Sequence, residues 1–360
     1  MPYPAHRAKA SQLIPHRLIV CAVGLLLLAG CATPYVRPAA PDTQTPALYQ
    51  DHAVMADGYT LPLTVWRPPA DDPARAVVIA LHGLNDYRHA YAELGPYLAA
   101  RGIVTYAYDQ RGFGATAAAG MWHGGARLDE DLRAMAKLLR AAYPGRPLYA
   151  MGESLGGAVL LSTLQPTPPD VDGMILVAPA VWARDTMPLL QRLALWLGAH
   201  IMPAETVTGR NLHITASDNT KMLRALRDDP LVIKATRIDV LYGSANVMDR
   251  AAAAAPRLRL PALILYGAHD EIIPKIPVCA MLQQLPRDRQ RHWRMVYYPD
   301  GYHMLTRDLH GATVRADIAA WLADPRAPLP SGDEIMTGDT AQPLFCGAQP
   351  ATATHYVKSN

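Results

Sequence analysis

The chain has 360 residues, half of them apolar, and a formal net charge of +3, which is material for one large α/β core carrying an insertion. Three of its cations, Arg7, Lys9 and Arg17, sit in a first stretch of 30 residues that holds no acid, so the remainder is formally neutral. No basic patch is left to attract nucleic acid, and that class of partner is set aside.

The basic opening runs into an apolar segment, residues 18–28, too short for the ~20 residues of a membrane-spanning helix. Residues 1–30 therefore read as a secretory signal. They end in Leu28-Ala29-Gly30-Cys31, which resembles the lipobox of bacterial lipoproteins. The resemblance implies cleavage before Cys31, diacylation of its sulfur with palmitate-type chains and acylation of the new N-terminus. Three chains exceed the two lipid signals that stable membrane anchoring requires. Ala32 in place of Asp resembles the outer-membrane sorting pattern, so the expected location is the cell envelope, on the periplasmic face of the outer membrane. The alternatives are a plain cleaved signal with an incidental Cys, or an N-terminal helix. Residues 31–50, rich in Pro, Ala and Thr, read as a flexible tether.

From Tyr59 strand and helix alternate. Leu61, Leu63 and Val65 mark an edge strand, and residues 76–81 form a continuous apolar run of the kind buried on both faces of a parallel sheet. A helix over 90–100 follows, then a strand over 103–108. A helix over 128–143 carries Asp129, Glu130 and Asp131 in its first turn, where the dipole favours acids. A strand over 147–151 leads into a helix over 158–164, and another strand covers 173–178. Residues 182–256 contain no buried strand, only helical stretches such as 187–201 and 220–226, and read as a cap above the sheet. Met187, Leu189, Leu190, Leu193, Leu195, Trp196, Leu197 and Ile201 are apolar nearly all round. Packing on the sheet is the expected role for most of them, and an acyl-chain wall that also contacts lipid is the alternative. Sheet rhythm returns at 261–266, with a helix over 277–285, a strand over 293–298 and a last helix over 312–322. The hydrolase-like domain is thus placed at 51–324, and residues 325–360 read as a loosely held tail.

Cys21 leaves with the signal and Cys31 is taken up by lipid. Cys279 and Cys346 then remain, able to pair in an oxidising compartment. Cys279 also sits in an apolar helical pattern that suits a buried free thiol, and both readings stay open.

Gly152-Glu153-Ser154-Leu155-Gly156, between an apolar strand and a small-residue helix, has the context of a nucleophile elbow. A serine hydroxyl becomes a useful nucleophile only when an imidazole takes its proton and a carboxylate holds that imidazole. In the chain order Ser, acid, His, Asp270 follows one later strand and His303 the next, with 33 residues between them, room for one helix and one strand. Glu271 and Asp300 compete with Asp270, which is preferred because it comes first after its strand, whereas Asp300 lies on the histidine loop. Other histidines, among them His82, His269 and His292, read as loop or strand-edge residues. Two backbone N–H groups are needed for the developing oxyanion, and Leu155 and Leu84 are placed to supply them. Gly112-Phe113-Gly114-Ala115-Thr116-Ala117 mimics a dinucleotide fingerprint, but no helix opens at once and no acid ends a following strand. No His/Cys/Asp cluster has metal-ligand spacing. No cofactor and no metal are expected.

Taken together, His82-Gly83-Leu84-Asn85-Asp86-Tyr87, Tyr91-Ala92-Glu93-Leu94, Asp109-Gln110-Arg111-Gly112-Phe113-Gly114, Gly152-Glu153-Ser154-Leu155-Gly156-Gly157, Gly267-Ala268-His269-Asp270 and Gly301-Tyr302-His303 resemble the monoacylglycerol lipase/lysophospholipase family of serine α/β-hydrolases. The resemblance covers residues 54–322 and departs at Phe113, where the family often has His, and in the cap. It implies an α/β-hydrolase fold, a triad of Ser154, Asp270 and His303, and an oxyanion hole framed by Leu84 and Leu155. It also implies hydrolysis of a lipid-like carboxylic ester through an acyl-enzyme. An acyltransferase or thioesterase would use the same residues, a peptidase of the same superfamily is less favoured, and a non-catalytic envelope lipoprotein would need none of them.

Overall fold

The computed structural model describes residues 33–69, 73–209, 214–286, 293–335 and 345–347. The signal segment and Cys31 lie outside them. The strands are β1 (Ala47–Leu48), β2 (His52–Val54), β3 (Thr60–Trp66), β4 (Ala76–Leu81), β5 (Ile103–Tyr108), β6 (Leu148–Glu153), β7 (Gly173–Val177), β8 (Thr206–Val207), β9 (Thr236–Arg237), β10 (Ala262–Gly267), β11 (Trp293–Tyr298) and β12 (Glu334–Ile335). The helices are α1 (Leu94–Ala99), α2 (Gly125–Ala142), α3 (Leu155–Ser162), α4 (Leu189–Ile201), α5 (Thr220–Asp228), α6 (Ile238–Ala254), α7 (Lys275–Gln284) and α8 (Gly311–Ala323).

Every residue of β4, β5, β6, β7 and β10 is buried, as strands sandwiched between helical layers must be. Among the described residues they form the centre of one sheet of order β1-β2-β3-β5-β4-β6-β7-β10-β11-β12. The strands from β5 to β11 in that order run parallel, and β1, β2, β3 and β12 extend the edges antiparallel. Leu81 pairs with Gly152, and Gly267 with Tyr298. The loops after β4, β6, β10 and β11 therefore leave the sheet at one edge, where groups on open α/β sheets converge.

Two apolar layers flank the sheet. Leu94 and Leu98 of α1 join Val314, Ile318 and Trp321 of α8 on one face. On the other, Leu132 and Met135 of α2, Val159 and Leu160 of α3, Val247 and Ala251 of α6 and Met281 of α7 share one cluster. Each Leu, Ile, Val or Met among them contributes about 1.5–3 kcal/mol by leaving water.

Several expectations change. Within residues 182–256, expected to form a cap, α6 lies in the apolar layer beside α3. Gly243 on α6 lets Trp122 pack so closely that a Cβ there would lie 2.2 Å from the indole Nε1. A helix has the same period in a cap as in a core layer, so periodicity did not separate the two. The acids at 129–131 are not in a first turn, since α2 begins at Gly125. Burial requires partners for two of them: Asp131 takes the Arg111 guanidinium at 2.6 and 2.8 Å, and Asp129 accepts the Ser162 hydroxyl at 2.6 Å and pairs with Arg250. Helix α4 does not pack down on the sheet. Only Ala199 of α4 is buried, and Leu189 and Leu190 are 76% and 77% exposed.

The ends of the domain are held more firmly than their compositions imply. In the expected tether, Arg37 N–H donates to Trp122 O at 2.7 Å, and Ala47–Leu48 pairs with β2. In the expected tail, β12 pairs with β11, Phe345 is buried, and Cys346 is bonded to Cys279 on α7 with Cα atoms 5.6 Å apart. Pairing and packing with distant strands hold these segments, and local composition carries no record of such partners.

Candidate active site

The turn from β6 into α3 puts Ser154 at φ 53°, ψ −115°, a conformation that costs a non-glycine residue about 1–3 kcal/mol. Its glycines are dictated by space. A Cβ on Gly152 would lie 2.3 Å from the Gly156 carbonyl carbon, and one on Gly156 would lie 2.2 Å from Leu81 O. Ser154 N–H donates to Val177 O at 2.9 Å and its carbonyl accepts from Ala158 and Ala180, so the strained residue is fixed from both sides. Its side chain sits at the N-terminus of α3, where the peptide dipoles favour negative charge.

The loop after β4 passes beside the serine: a Cβ on Gly83 would be 3.2 Å from Ser154 Cβ and 3.8 Å from its Oγ. Buried His82 shapes this loop, a role its sequence reading as a strand-edge residue did not anticipate. Gln110 N–H donates to His82 Nε2 at 3.0 Å, which leaves the proton on Nδ1 to donate to Gly83 O at 2.8 Å. Burial pulls the ring's pKa down against the nearby carboxylates and keeps it neutral. In a trans peptide C=O and N–H point oppositely, so holding Gly83 O toward His82 turns the Leu84 N–H the other way. Leu155 is the first residue of α3, and Leu84 is half-buried in the loop.

The loops after β10 and β11 are cross-tied, with Ala268 N–H donating to Tyr298 O and His269 N–H to Gly301 O, both at 2.9 Å. Their approach is so close that a Cβ on Gly267 would meet Gly301 O at 2.4 Å. This brings buried Asp270 and buried His303 together, with Oδ2 accepting from Nδ1 at 2.8 Å. The other oxygen of Asp270 accepts from Ile272 and Ile273 N–H at 2.9 Å each, which fixes the carboxylate plane. The competing acids face elsewhere: Glu271 accepts from Thr215 N–H and Asp300 is exposed. Burial lowers the His303 pKa, but the charge and hydrogen bond of Asp270 outweigh it. Glu153 adds to the rise and Arg307 subtracts, and the net result lies above the ordinary 6.5.

Arg307 was not singled out from the sequence. Its guanidinium donates to Glu153 Oε1 at 2.6 Å and pairs with Asp86 Oδ2 at 2.8 Å, all three groups being buried. It thereby clamps the residue before Ser154, the loop carrying Leu84 and the segment carrying His303. Its two carboxylates hold it charged in spite of burial, and removing one member of such a buried set strands the others at about 3–5 kcal/mol. Isolated charges in a sequence carry no sign of such a convergence.

Residues between β7 and α6 are tied to the same loops. Tyr87 OH donates to Asp229 at 2.6 Å, and Asn85 Nδ2 to Thr236 Oγ1 at 2.7 Å. On the histidine side Asp308 accepts from Ser217 Oγ and from Tyr302 N–H. Asp229, Thr236 and Ser217 thus join these loops through buried or half-buried polar contacts.

Known proteins are similar to this chain over most of its length. Mouse monoglyceride lipase is 28% identical over 283 residues, covering 76% of this chain and 91% of the relative. The monoacylglycerol lipase of Mycolicibacterium smegmatis is 27% identical over 278 residues, covering 74% and 93%. Among solved structures, the Paleococcus ferrophilus monoacylglycerol lipase superposes with a TM-score of 0.60 at 21% identity, covering 73% of this chain and 98% of that one. A soluble variant of the Saccharomyces cerevisiae monoglyceride lipase gives 0.61 at 20% identity, covering 82% and 99%. These likenesses, with the strand order above, establish an α/β-hydrolase fold. The family model described as "Serine aminopeptidase, S33" (Hydrolase_4) matches residues 72–310, a span holding the elbow and both cross-tied loops, and the chain belongs to that family.

Proposed function

We propose that this chain is a serine hydrolase of carboxylic esters, acting on lipid-like monoesters of the monoacylglycerol or lysophospholipid kind through an acyl-enzyme on Ser154. The observation that carries the reading is the buried Asp270–His303 pair on the sheet edge where strained Ser154 is presented. Ser154 Oγ attacks the ester carbonyl and His303 Nε2 takes its proton. Asp270 holds the ring in the tautomer that leaves Nε2 free to accept, and stabilises the imidazolium that forms. The oxyanion receives the N–H groups of Leu155 and Leu84, each such donor being worth about 2.7–4 kcal/mol in the transition state. His303 then protonates the departing alcohol, and water repeats the sequence to release the acid.

Two observations favour a lipid-like substrate. The similar mouse and mycobacterial proteins are monoglyceride or monoacylglycerol lipases by name. The cap also exposes Leu189, Leu190, Leu193 and Trp196, an apolar patch of the kind that meets a lipid phase. Lipid on Cys31 would hold the domain at the envelope membrane. Metabolic labelling with an alkynyl palmitate is expected to mark the wild type and be lost in Cys31→Ala.

The deciding experiment follows hydrolysis of p-nitrophenyl esters of graded acyl length beside labelling by a fluorophosphonate. Turnover with an optimum at a medium or long acyl chain, together with labelling, is expected. Turnover of aminoacyl p-nitroanilides in place of esters would move the activity to the aminopeptidase named in the family description. A folded protein that neither turns over nor labels would leave a binding lipoprotein.

A further inference from the structure

We propose that Phe345, held in place by the Cys279–Cys346 disulfide, is a positioning residue for the Asp270–His303 pair. This inference rests on the catalytic assignment of that pair.

A continuous set of contacts carries it. The disulfide spans a sequence separation of 67 residues and ties the C-terminal segment to α7. Next to it the Phe345 ring, 1% exposed, stands edge-on to Tyr266 of β10 at 5.4 Å and to Tyr297 of β11 at 5.2 Å. The Lys275 ammonium at the start of α7 lies 4.6 Å from the Phe345 ring centre and 5.5 Å from that of Tyr297, which adds cation–π attraction to the packing. Tyr266 passes the constraint on, because its hydroxyl donates to Ile273 O at 2.7 Å. Ile273 N–H in turn donates to Asp270 Oδ1, while Asp270 Oδ2 meets His303. The loop bearing the acid is therefore pinned on the side away from the histidine by a phenol whose ring leans on Phe345.

Phe345 touches no reacting atom. Its effect is to limit the freedom of the acid loop, and displacement of a positioned group by about 1 Å can cost a hundredfold in rate. The bond is reachable: Cys346 is half-buried and a surface groove lined by Lys275, Ile276 and Gln283 runs beside it. Dithiothreitol would cleave it by exchange. One thiolate attacks a cysteine sulfur, the second displaces the mixed disulfide, the two electrons end on the Cys279 and Cys346 thiols, and the reagent leaves as its cyclic disulfide.

The test measures kcat and KM on p-nitrophenyl butyrate for the full chain, each per active site titrated with fluorophosphonate. Phe345→Ala is expected to lower kcat about tenfold with KM within about twofold of wild type, and Phe345→Leu to recover most of the loss. The Cys279→Ser/Cys346→Ser pair, and wild type reduced with dithiothreitol, should reproduce the defect. The acidic limb of kcat/KM should also move to lower pH. Asp270 is the group whose hold on His303 weakens, whereas Glu153 from β6 and Arg307 from the histidine's own segment are untouched, and Glu271 is engaged with Thr215. A merely structural contact would lower Tm and the number of titratable sites without changing kcat per site or moving that limb, and such a result would overturn the proposal. Should Phe345→Ala fail to fold, wild type with and without reductant decides in the same way. An active wild type indifferent to every change sinks the brace alone, and a wild type that neither labels nor turns over sinks the catalytic assignment with it.

Discussion

Replacing Ser154 with Ala is expected to lower kcat for ester hydrolysis by about 10⁶-fold, the scale on which loss of a triad nucleophile is felt. No neighbour can substitute. Ser154 alone occupies the strained position from which an oxygen is presented at the start of α3, and Gly152 and Gly156 leave no room to refold the turn around another residue. Alanine carries the same Cβ and so meets the same backbone cost, which makes the change in stability small, about 0.5 kcal/mol or less. Rates should therefore collapse while Tm stays close to wild type. The check is initial rates in parallel with mass spectrometry of the fluorophosphonate adduct, which should be found on Ser154 in wild type and be absent from the variant. Retention of more than a few per cent of activity would remove Ser154 from the nucleophile role.

Asp270→Asn is expected to cost about 10⁴-fold in kcat with little change in shape. An Asn amide can donate to His303 Nδ1, and a ring that accepts there carries its proton on Nε2, facing the serine in the unproductive tautomer. The pH dependence has a definite sign. In wild type the Asp270 charge and hydrogen bond carry the His303 pKa above 6.5 against the lowering effect of burial. The acidic limb of kcat/KM is therefore expected above that pH. Removing the charge lets burial dominate, so the residual activity of the variant should titrate at lower pH. The same raised pKa contributes to wild-type stability below pH 6.5, the unfolded value, and that contribution is lost as pH rises through the folded-state value. A pH-rate profile of both proteins, with thermal melts at the two ends of the range, checks rate, limb and stability together. An Asp270→Asn enzyme within tenfold of wild type would return the acid's role to Glu271 or Asp300.

The sequence by itself determined the parts of this protein that local chemistry dictates. Apolar runs such as 76–81 and 261–266, short and bounded by turn residues, read as strands covered on both faces, and β4 and β10 are buried throughout. The spacing of small residues around Ser154, between an apolar strand and a small-residue helix, points to a sharp strand-to-helix turn, and the structure has one there. Asp270 and His303 each follow a strand of the same sheet, and β10 beside β11 with Gly267 against Gly301 brings them into contact. What only the tertiary structure decided depends on which distant residues meet. Residues 238–254 read as part of the cap from sequence, whereas the structure packs them as a helix in the core layer beside α3, with Trp122 against Gly243. Most apolar residues of α4 read as packed on the sheet, with a lipid-contacting wall as the alternative, and Leu189, Leu190, Leu193, Trp196, Leu197 and Ile201 are exposed. Cys279 pairs with Cys346 because residues 345–347 lie against α7, which also seats Phe345 between two tyrosines. Arg307, Glu153 and Asp86 are three unrelated charges along the chain until the sheet edge gathers them, and His82 is a bland loop histidine until Gln110 fixes its tautomer. Periodicity and motif spacing record what a residue's neighbours in the chain require, whereas pairings across a fold are set by topology and by the cost of burying a polar group alone.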